Sequence, residues 1–347
     1  MTQVCLYDKI RHMKRLTEII SRFKKAKILV VGDLILDEFI WGKVSRISPE
    51  APVPVVRVSS QSFMPGGASN VANNIRILGG NVSLAGVIGN DLYGDILKQQ
   101  LEEYKIDIGG LVVDKQRPTT LKTRVIAHSQ QVVRIDKESE THIDGRELKY
   151  ILDYTERRIK DVDAVIIEDY GKGVITGKLL DNILSIAKKY KKIITIDPKE
   201  DHFSVYKEAT VITPNKSELA QATHIKIEDF KTLKKAALKL LKRLKIKGIL
   251  VTLGEDGMCL FESSKKITHI PTVAQEVFDV SGAGDTVIAV VTLSLASGAN
   301  LKEAAYISNC AAGVVVGKVG ISVCTEKELK EKIALESKRL KEEGRGR

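Results

Sequence analysis

Phe278-Asp279-Val280-Ser281-Gly282-Ala283-Gly284-Asp285-Thr286 leads straight into an apolar stretch from Val287 to Gly298. Two glycines around an alanine make a tight turn, and the apolar stretch that follows has the composition of a buried helix. Backbone N–H groups at such a turn point outward without partners, and the helix dipole adds partial positive charge. An anion, such as a phosphoryl group in transit, can sit there. Asp285 would then stand beside it, placed to take a proton from an attacking hydroxyl. By itself the run fits equally well an ordinary helix start with an acidic residue in its first turn.

The rest of the chain supplies the context. Ala26 to Val31 is an apolar run ending in Gly32-Asp33, expected as a buried strand with a turn at its carboxyl end. Gly66 to Gly80 has helical spacing, with Ala68, Val71, Ala72, Ile75 and Leu78 on one face and Gly79-Gly80 as the stop. Val82 to Ile88 reads as a strand and Asp91 to Tyr104 as a helix. The alternation resumes with strands at Asp163 to Ile167, Ile193 to Ile196, Thr210 to Thr213 and Gly248 to Leu253. Helices are expected at Thr176 to Tyr190 and Phe230 to Leu244. This rhythm predicts an α/β fold, a doubly wound and mainly parallel sheet with helices on both faces. Two stretches lack helical spacing, about 38–60 with its three prolines and about 111–136. They are expected to form a small projecting β-element. The main domain is expected over 26–325, with a charged leader at 1–25 and a charged helical tail at 326–347.

Bulk properties narrow the function. The chain has 347 residues and 43% apolar content, enough for a sizeable core without metal or disulfide staples. Cys5, Cys259, Cys310 and Cys324 form no CxxC pair, which fits a reducing cytoplasm. No secretory signal is visible and no apolar run is long enough to span a bilayer. The net charge of +11 raises nucleic-acid binding, but the lysines spread over helix faces, as in Lys231, Lys234, Lys235, Lys239, Lys242 and Lys245. Aromatics are only 5% and no RNA- or DNA-binding pattern is present. The charge is expected to solvate the surface and to steer phosphorylated ligands; neither a nucleic-acid nor a membrane partner is expected.

Ligands of open parallel sheets bind beyond the carboxyl ends of the strands. That rule gathers Gly32-Asp33 and Asp37, then Glu168-Asp169-Tyr170-Gly171-Lys172-Gly173, Asp197-Pro198-Lys199, Pro214-Asn215-Lys216-Ser217-Glu218 and Gly254-Glu255-Asp256-Gly257 at one rim with Asp285. Carboxylates, lysines and glycines together suit phosphoryl transfer. Singly, each has a plainer role: Asp33 can cap a turn, Asn215 and Glu218 can form a helix capping box, and Lys172 and Lys199 can be surface lysines. The chain has no GxxxxGK[ST], no protein-kinase HRD or DFG set, and no GxGxxG after the first strand.

With those residues assembled, the chain resembles the ribokinase-like (PfkB) carbohydrate kinases over about Lys27 to Val323. Gly66-Gly67-Ala68-Ser69-Asn70 is similar to that family's sugar-binding glycine motif. Asp279 to Asp285 is similar to its C-terminal signature, with Ser281 where threonine is usual. The resemblance implies that Asp285 is the catalytic base and that the amides of Gly282, Ala283 and Gly284 form the anion hole. Asn215, Lys216, Ser217 and Glu218 would serve ATP, with Glu218 positioning Mg²⁺. Thr252, Gly254 and Gly257 would border the nucleotide and Asn309 would lie near the adenine. Asp33, Gly66, Gly67 and Asn70 would meet the sugar. A monovalent cation near the anion hole is a further expectation.

Within that family, Ile47-Ser48-Pro49-Glu50-Ala51-Pro52-Val53-Pro54-Val55-Val56 resembles a segment of the D-glycero-β-D-manno-heptose-7-phosphate kinases. So do Arg117-Pro118-Thr119-Thr120, Gln130-Gln131 and Arg134-Ile135-Asp136. The implied reaction phosphorylates the anomeric hydroxyl of heptose 7-phosphate, in the synthesis of the ADP-heptose used in lipopolysaccharide. Lys122, Arg124, Arg134, Lys172 and Lys199 are the candidate cations for the 7-phosphate. The chain has no HxGH adenylyltransferase motif, so a stand-alone kinase is expected. The resemblance also implies a homodimer through the β lid, a pairing that would protect exposed strand edges. Two alternatives remain at this point. One is another sugar kinase of the fold, acting on ribose, fructose or a fructose phosphate; the other is a silent sugar- or nucleotide-binding regulator. A sugar panel with ATP separates the first, and turnover separates the second.

Overall fold

A computed structural model of the chain describes residues 13–343 apart from Ser129, Gln275, Glu276, Val319 and Ile321. Most of the expected leader's first half, Cys5 and the Gly-Arg end of the tail therefore lie outside the described residues.

Continuous apolar runs make the central strands, as burial on both faces requires. β1 (Lys27–Gly32), β4 (Asn81–Gly89), β5 (Asp107–Asp114), β8 (Ala164–Glu168), β9 (Ile193–Asp197), β10 (Val211–Ile212) and β11 (Gly248–Thr252) pair in parallel. The antiparallel hairpin β12 (Met258–Glu262) and β13 (Ile267–Ile270) extends them into a nine-stranded sheet of order β13-β12-β11-β10-β9-β8-β1-β4-β5. One face carries α4 (Gly145–Arg158), α5 (Gly177–Lys189), α6 (Lys216–Thr223) and α7 (Phe230–Leu244). α7 shows why it sits there: Leu233, Ala236, Ala237, Leu240, Leu241 and Leu244 form one apolar stripe. The other face carries α2 (Ala68–Ile77), α3 (Leu92–Glu103), α8 (Ala283–Ala296) and α9 (Leu301–Val315). α8 is apolar on all sides because it is enclosed, with every residue from Asp285 to Ser294 buried.

A second, four-stranded sheet of order β3-β2-β6-β7 projects from this body. Its strands are β2 (Leu34–Ile47), β3 (Pro54–Gly67), β6 (Thr120–Ala127) and β7 (Gln130–Lys137). The expected lid segments are corrected in two ways. The first is longer than 38–60, because β2 leaves the main sheet immediately after Gly32-Asp33 and β3 runs on to Gly67. The second is shorter than 111–136, because residues 111–114 belong to β5, which pairs with β4 in the main sheet and buries Val112. Helix α4, helix α9 and the β12–β13 hairpin were not read from the sequence.

The leader and tail are also more than appendages. Residues 13–21 form a helix, α1, whose Leu16, Ile19 and Ile20 are fully buried in the same cluster as Ile28 and Val30 of β1. Leu329 and Ile333 of α10 (Glu326–Glu343) join that cluster. The packed unit therefore extends beyond 26–325 at both ends. Among the described residues no helix is long and apolar enough to cross a membrane.

Candidate active site

The glycine turn is an N-terminal helix cap. Gly282 caps α8 at φ 76°, a left-handed conformation that side chains disfavour. Asp279 accepts the Ser281 N–H at 2.8 Å and closes the turn. Of the three amides expected to form an anion hole, that of Ala283 is engaged, donating to the Val280 carbonyl at 3.2 Å. Among the described residues those of Gly282 and Gly284 have no protein acceptor. A Cβ built on Gly284 finds nothing nearer than the Asp197 carboxylate at 3.8 Å, so the space before the cap is open.

Asp285 lies in the first turn of α8 and is 4% exposed. The Asn70 amide donates to its Oδ2 at 2.6 Å and the Tyr170 hydroxyl to its Oδ1 at 2.8 Å. Burial pushes its pKa up to about 6, opposed by those two hydrogen bonds. Behind it, Asn74 donates to Asn70 and accepts from Thr286, tying α2 to α8. Asn70, expected to meet the sugar, donates its amide to Asp285. Tyr170 was not singled out from the rim segment, and only the fold reveals that its hydroxyl reaches the base.

Two further carboxylates converge on this point. Oxygens of Glu168, Asp197 and Asp285 lie within 4.8 Å of one another. Glu168 and Asp197 end the neighbouring strands β8 and β9 and stand opposite each other in register. Burial, then the Glu218 charge, pushes Asp197 up to about 8, while Thr213 donates to it at 2.6 Å. Glu168 is fully buried and, among the described residues, has no hydrogen-bond partner on either oxygen; burial beside Asp197 and Asp285 raises it well above the ordinary carboxylate range. Oxygen-only donors with an orphaned carboxylate fit a hard divalent cation. Glu218, expected as the metal residue, is half-buried. Its Oε2 accepts the Asn215 N–H at 2.8 Å while Asn215 accepts the Glu218 N–H at 2.9 Å. The capping box and the Asn-x-x-Glu pattern are thus one arrangement, which leaves the other Glu218 oxygen without a protein donor among the described residues.

Around this centre the other expected residues divide into two groups. Lys216 and Ser217 are exposed on the first turn of α6, and Thr252 ends β11 beside them through a bridge to Asn215. Gly254 at φ 63° faces open space, whereas Gly257 is closed in by the Ile270 carbonyl and residues 271–272. Asn309 is corrected: it is 3% exposed and its amide donates to the Pro271 carbonyl at 2.8 Å, fastening α9 to the segment after β13.

At the sugar side, Asp33 is also corrected. Its carboxylate turns inward and accepts the N–H groups of Tyr170, Lys172 and Val174 at 2.8–3.0 Å. It holds the 170–174 loop and has no face toward a ligand. Asp37, four residues on, faces Arg124 and the start of α2. A Cβ on Gly66 would sit 2.1 Å from Asp37 Oδ2, and a Cβ on Gly67 2.7 Å from the Asp33 carbonyl. The two glycines therefore let the start of α2 approach β2. Asp37 is buried and ion-paired with Arg124, which stacks over Phe39.

The five cations expected for a phosphate are all paired. Lys122 meets Asp136 and Glu138, each at 3.2 Å; Lys172 meets Glu138 at 2.8 Å and Glu140 at 2.9 Å. Arg134 pairs with Asp136 at 3.0 Å on the exposed β7, and Lys199 with its neighbour Glu200 at 2.8 Å. Lys122 and Lys172 are drawn together through Glu138, and Arg134 joins Lys122 through Asp136, whereas Lys199 stands apart from these ion pairs. Arg117 was quoted only as part of a motif. Its guanidinium donates to the carbonyls of Ser139, Thr141 and Lys172, binding this acidic segment to the 170–174 loop.

Comparisons with known proteins agree with this geometry. The pfkB family carbohydrate kinase profile matches residues 25–328. The chain is 48% identical over 311 residues to the "Bifunctional protein HldE" of Desulfatibacillum aliphaticivorans, covering 90% of this chain and 64% of that protein. It thus spans just under two thirds of the length of that relative. Phosphofructokinase-2 from Escherichia coli superposes with a TM-score of 0.74 at 20% identity, covering 89% of this chain and 99% of the other. Arabidopsis thaliana ribokinase, solved with ribose and ATP, gives 0.71 at 19%, covering 89% and 98%. The last two show that the fold is ribokinase-like.

Proposed function

The chain belongs to the pfkB family of ATP-dependent carbohydrate kinases, and from that premise we propose that it phosphorylates the anomeric hydroxyl of D-glycero-β-D-manno-heptose 7-phosphate. The observation that carries the reaction is Asp285: a buried carboxylate with a pKa near 6, next to open N–H groups at a helix cap. At neutral pH it is ionised yet basic enough to take a proton from the sugar hydroxyl. Asn70 and Tyr170 keep it oriented. The Gly282 and Gly284 amides receive the phosphoryl oxygens as charge moves onto them. Lys216, Ser217, Thr252, Gly254 and Gly257 line the nucleotide side. Glu168, Asp197 and Glu218 would hold Mg²⁺, whose chemistry is to neutralise phosphate charge. A potassium-class cation beside the glycine turn is part of the proposal; replacing potassium with tetramethylammonium should lower the rate.

The acceptor rests on the lid. Its 47–56 segment and basic residues resemble those of the heptose-7-phosphate kinases, and the relative 48% identical is a bifunctional HldE protein. Lys122 and Lys172 are the residues we assign to the 7-phosphate, which would take the place of Glu138 between them. The lid also supports a homodimer. All eight residues of β7 are exposed, including Val133 and Ile135, and β3 and β7 are open sheet edges.

Phosphorus NMR of the product from ATP and heptose 7-phosphate tests the proposal. A new anomeric phosphate signal is expected, with turnover far above that on unphosphorylated heptose, ribose or fructose 6-phosphate. Equal turnover on heptose and its 7-phosphate would overturn the acceptor assignment.

A further inference from the structure

A second pocket opens at the opposite end of the main sheet. It lies where β1, β4 and β5 begin and β8 is about to begin, away from the carboxyl ends that build the catalytic rim. Its volume is about 320 Å³ and its lining includes Lys27, Arg76, Lys105 and Arg158 against two acids, Asp107 and Asp161. We propose that this pocket binds a small oxyanion, phosphate or a phosphate monoester, independently of the acceptor assigned to the catalytic rim.

Charge alone would be a weak reason in a chain of net charge +11. The stronger reason is how the charges are committed. Asp107 is already surrounded by donors: Ser83, Tyr154, the Gly109 N–H and one terminal nitrogen of Arg158. That same Arg158 nitrogen also reaches Ser83 Oγ at 2.7 Å. The guanidinium is therefore fixed at one corner, and its Nε–H is shielded from solvent with no acceptor. A shielded cationic donor without an acceptor is rare in folded proteins and marks a missing partner. Lys27 and Lys105 make no ion pair or side-chain hydrogen bond among the described residues. Arg76 makes only a long bond, 3.4 Å, to the Gly80 carbonyl. An anion would satisfy the Arg158 donor and meet three uncommitted cations at once. The size restricts it further. The volume sits at the low end of the roughly 300–1,000 Å³ usual for small-molecule sites, enough for phosphate or a short monoester.

The test uses the full chain labelled with ¹⁵N and titrated with inorganic phosphate at constant ionic strength. Saturable amide shifts are expected at residues 27–28, 81–83, 105–107 and 158–162. The double variant Arg76→Ala, Lys105→Ala should weaken binding at least tenfold while sugar-kinase turnover stays unchanged; both side chains lie outside the catalytic rim. A parallel titration with glycerol 3-phosphate separates the two sources: tighter binding assigns a monoester, equal or weaker binding assigns the free ion. The proposal falls if no saturable shift occurs, if chloride reproduces it, or if the double variant binds as the parent does.

Discussion

The catalytic rim and the lid handle charge in opposite ways. At the rim, Asp285 and Glu168 are almost without solvent contact, and their ionisation is set by burial. Where the lid meets the 170–174 loop, Lys122 and Arg134 of the lid and Lys172 of the loop share Asp136, Glu138 and Glu140 in partly exposed pairs. The pairs with a largely exposed partner, Arg134 with Asp136 and Lys172 with Glu140, add only about 0–1 kcal/mol each to stability. The fold can therefore exchange lid charges at little cost, while the rim has no such freedom. In the function proposed above, reaction type belongs to the rim and acceptor choice to the lid, a division that would let one fold serve many sugars.

The largest effect expected from that division is at Asp285. Asp285→Asn should lower kcat by about 10²–10⁴ with little change in nucleotide affinity, read by rapid-quench turnover beside calorimetric ATP binding. A substitution in the ion pairs that join the lid to the 170–174 loop should behave differently. Lys172→Ala removes one charge-assisted partner, typically about 1.5–3 kcal/mol, so kcat/KM for the phosphorylated heptose should fall about tenfold or somewhat more. Turnover of the unphosphorylated sugar should stay within about twofold of the parent's. Equal losses on both sugars would break the comparison, because Lys172 would then be serving the rim through its backbone loop.

The sequence made the rim legible because strand ends and helix caps are written locally. Gly282 and Asn215-x-x-Glu218 show as short spacings that the parallel-sheet rule places at one edge, and Gly66-Gly67 shows as a motif of its own. What it hid were choices between equivalent residues. Asp33 and Asp37 both follow the first strand; only the departure of β2 into the second sheet turns one inward and the other toward Arg124. Tyr170 and Glu168 stood in a segment already at the rim, but their reach to Asp285 and Asp197 depends on strand register. The ion pairing of the lid cations was equally invisible, because Glu138 and Glu140 are remote in sequence from Lys172.

The smallest effect sharpens the rim itself. Tyr170 donates a hydrogen bond to Asp285 Oδ1, and such a bond favours the ionised carboxylate. In the parent, the acid limb of kcat/KM should fall with unit slope below pH about 6, where Asp285 takes up a proton. Tyr170→Phe removes the donor and leaves burial unopposed at that oxygen, so the pKa rises. The acid limb should move to higher pH by about one unit, the equivalent of roughly 1.4 kcal/mol, while the plateau rate above pH 8 changes little. A limb that stays in place would mean that Asn70 alone holds the base in the working enzyme. A limb that moves down would show that the carboxylate titrating there is not Asp285 but one of its neighbours in the cluster, whose charge repels it.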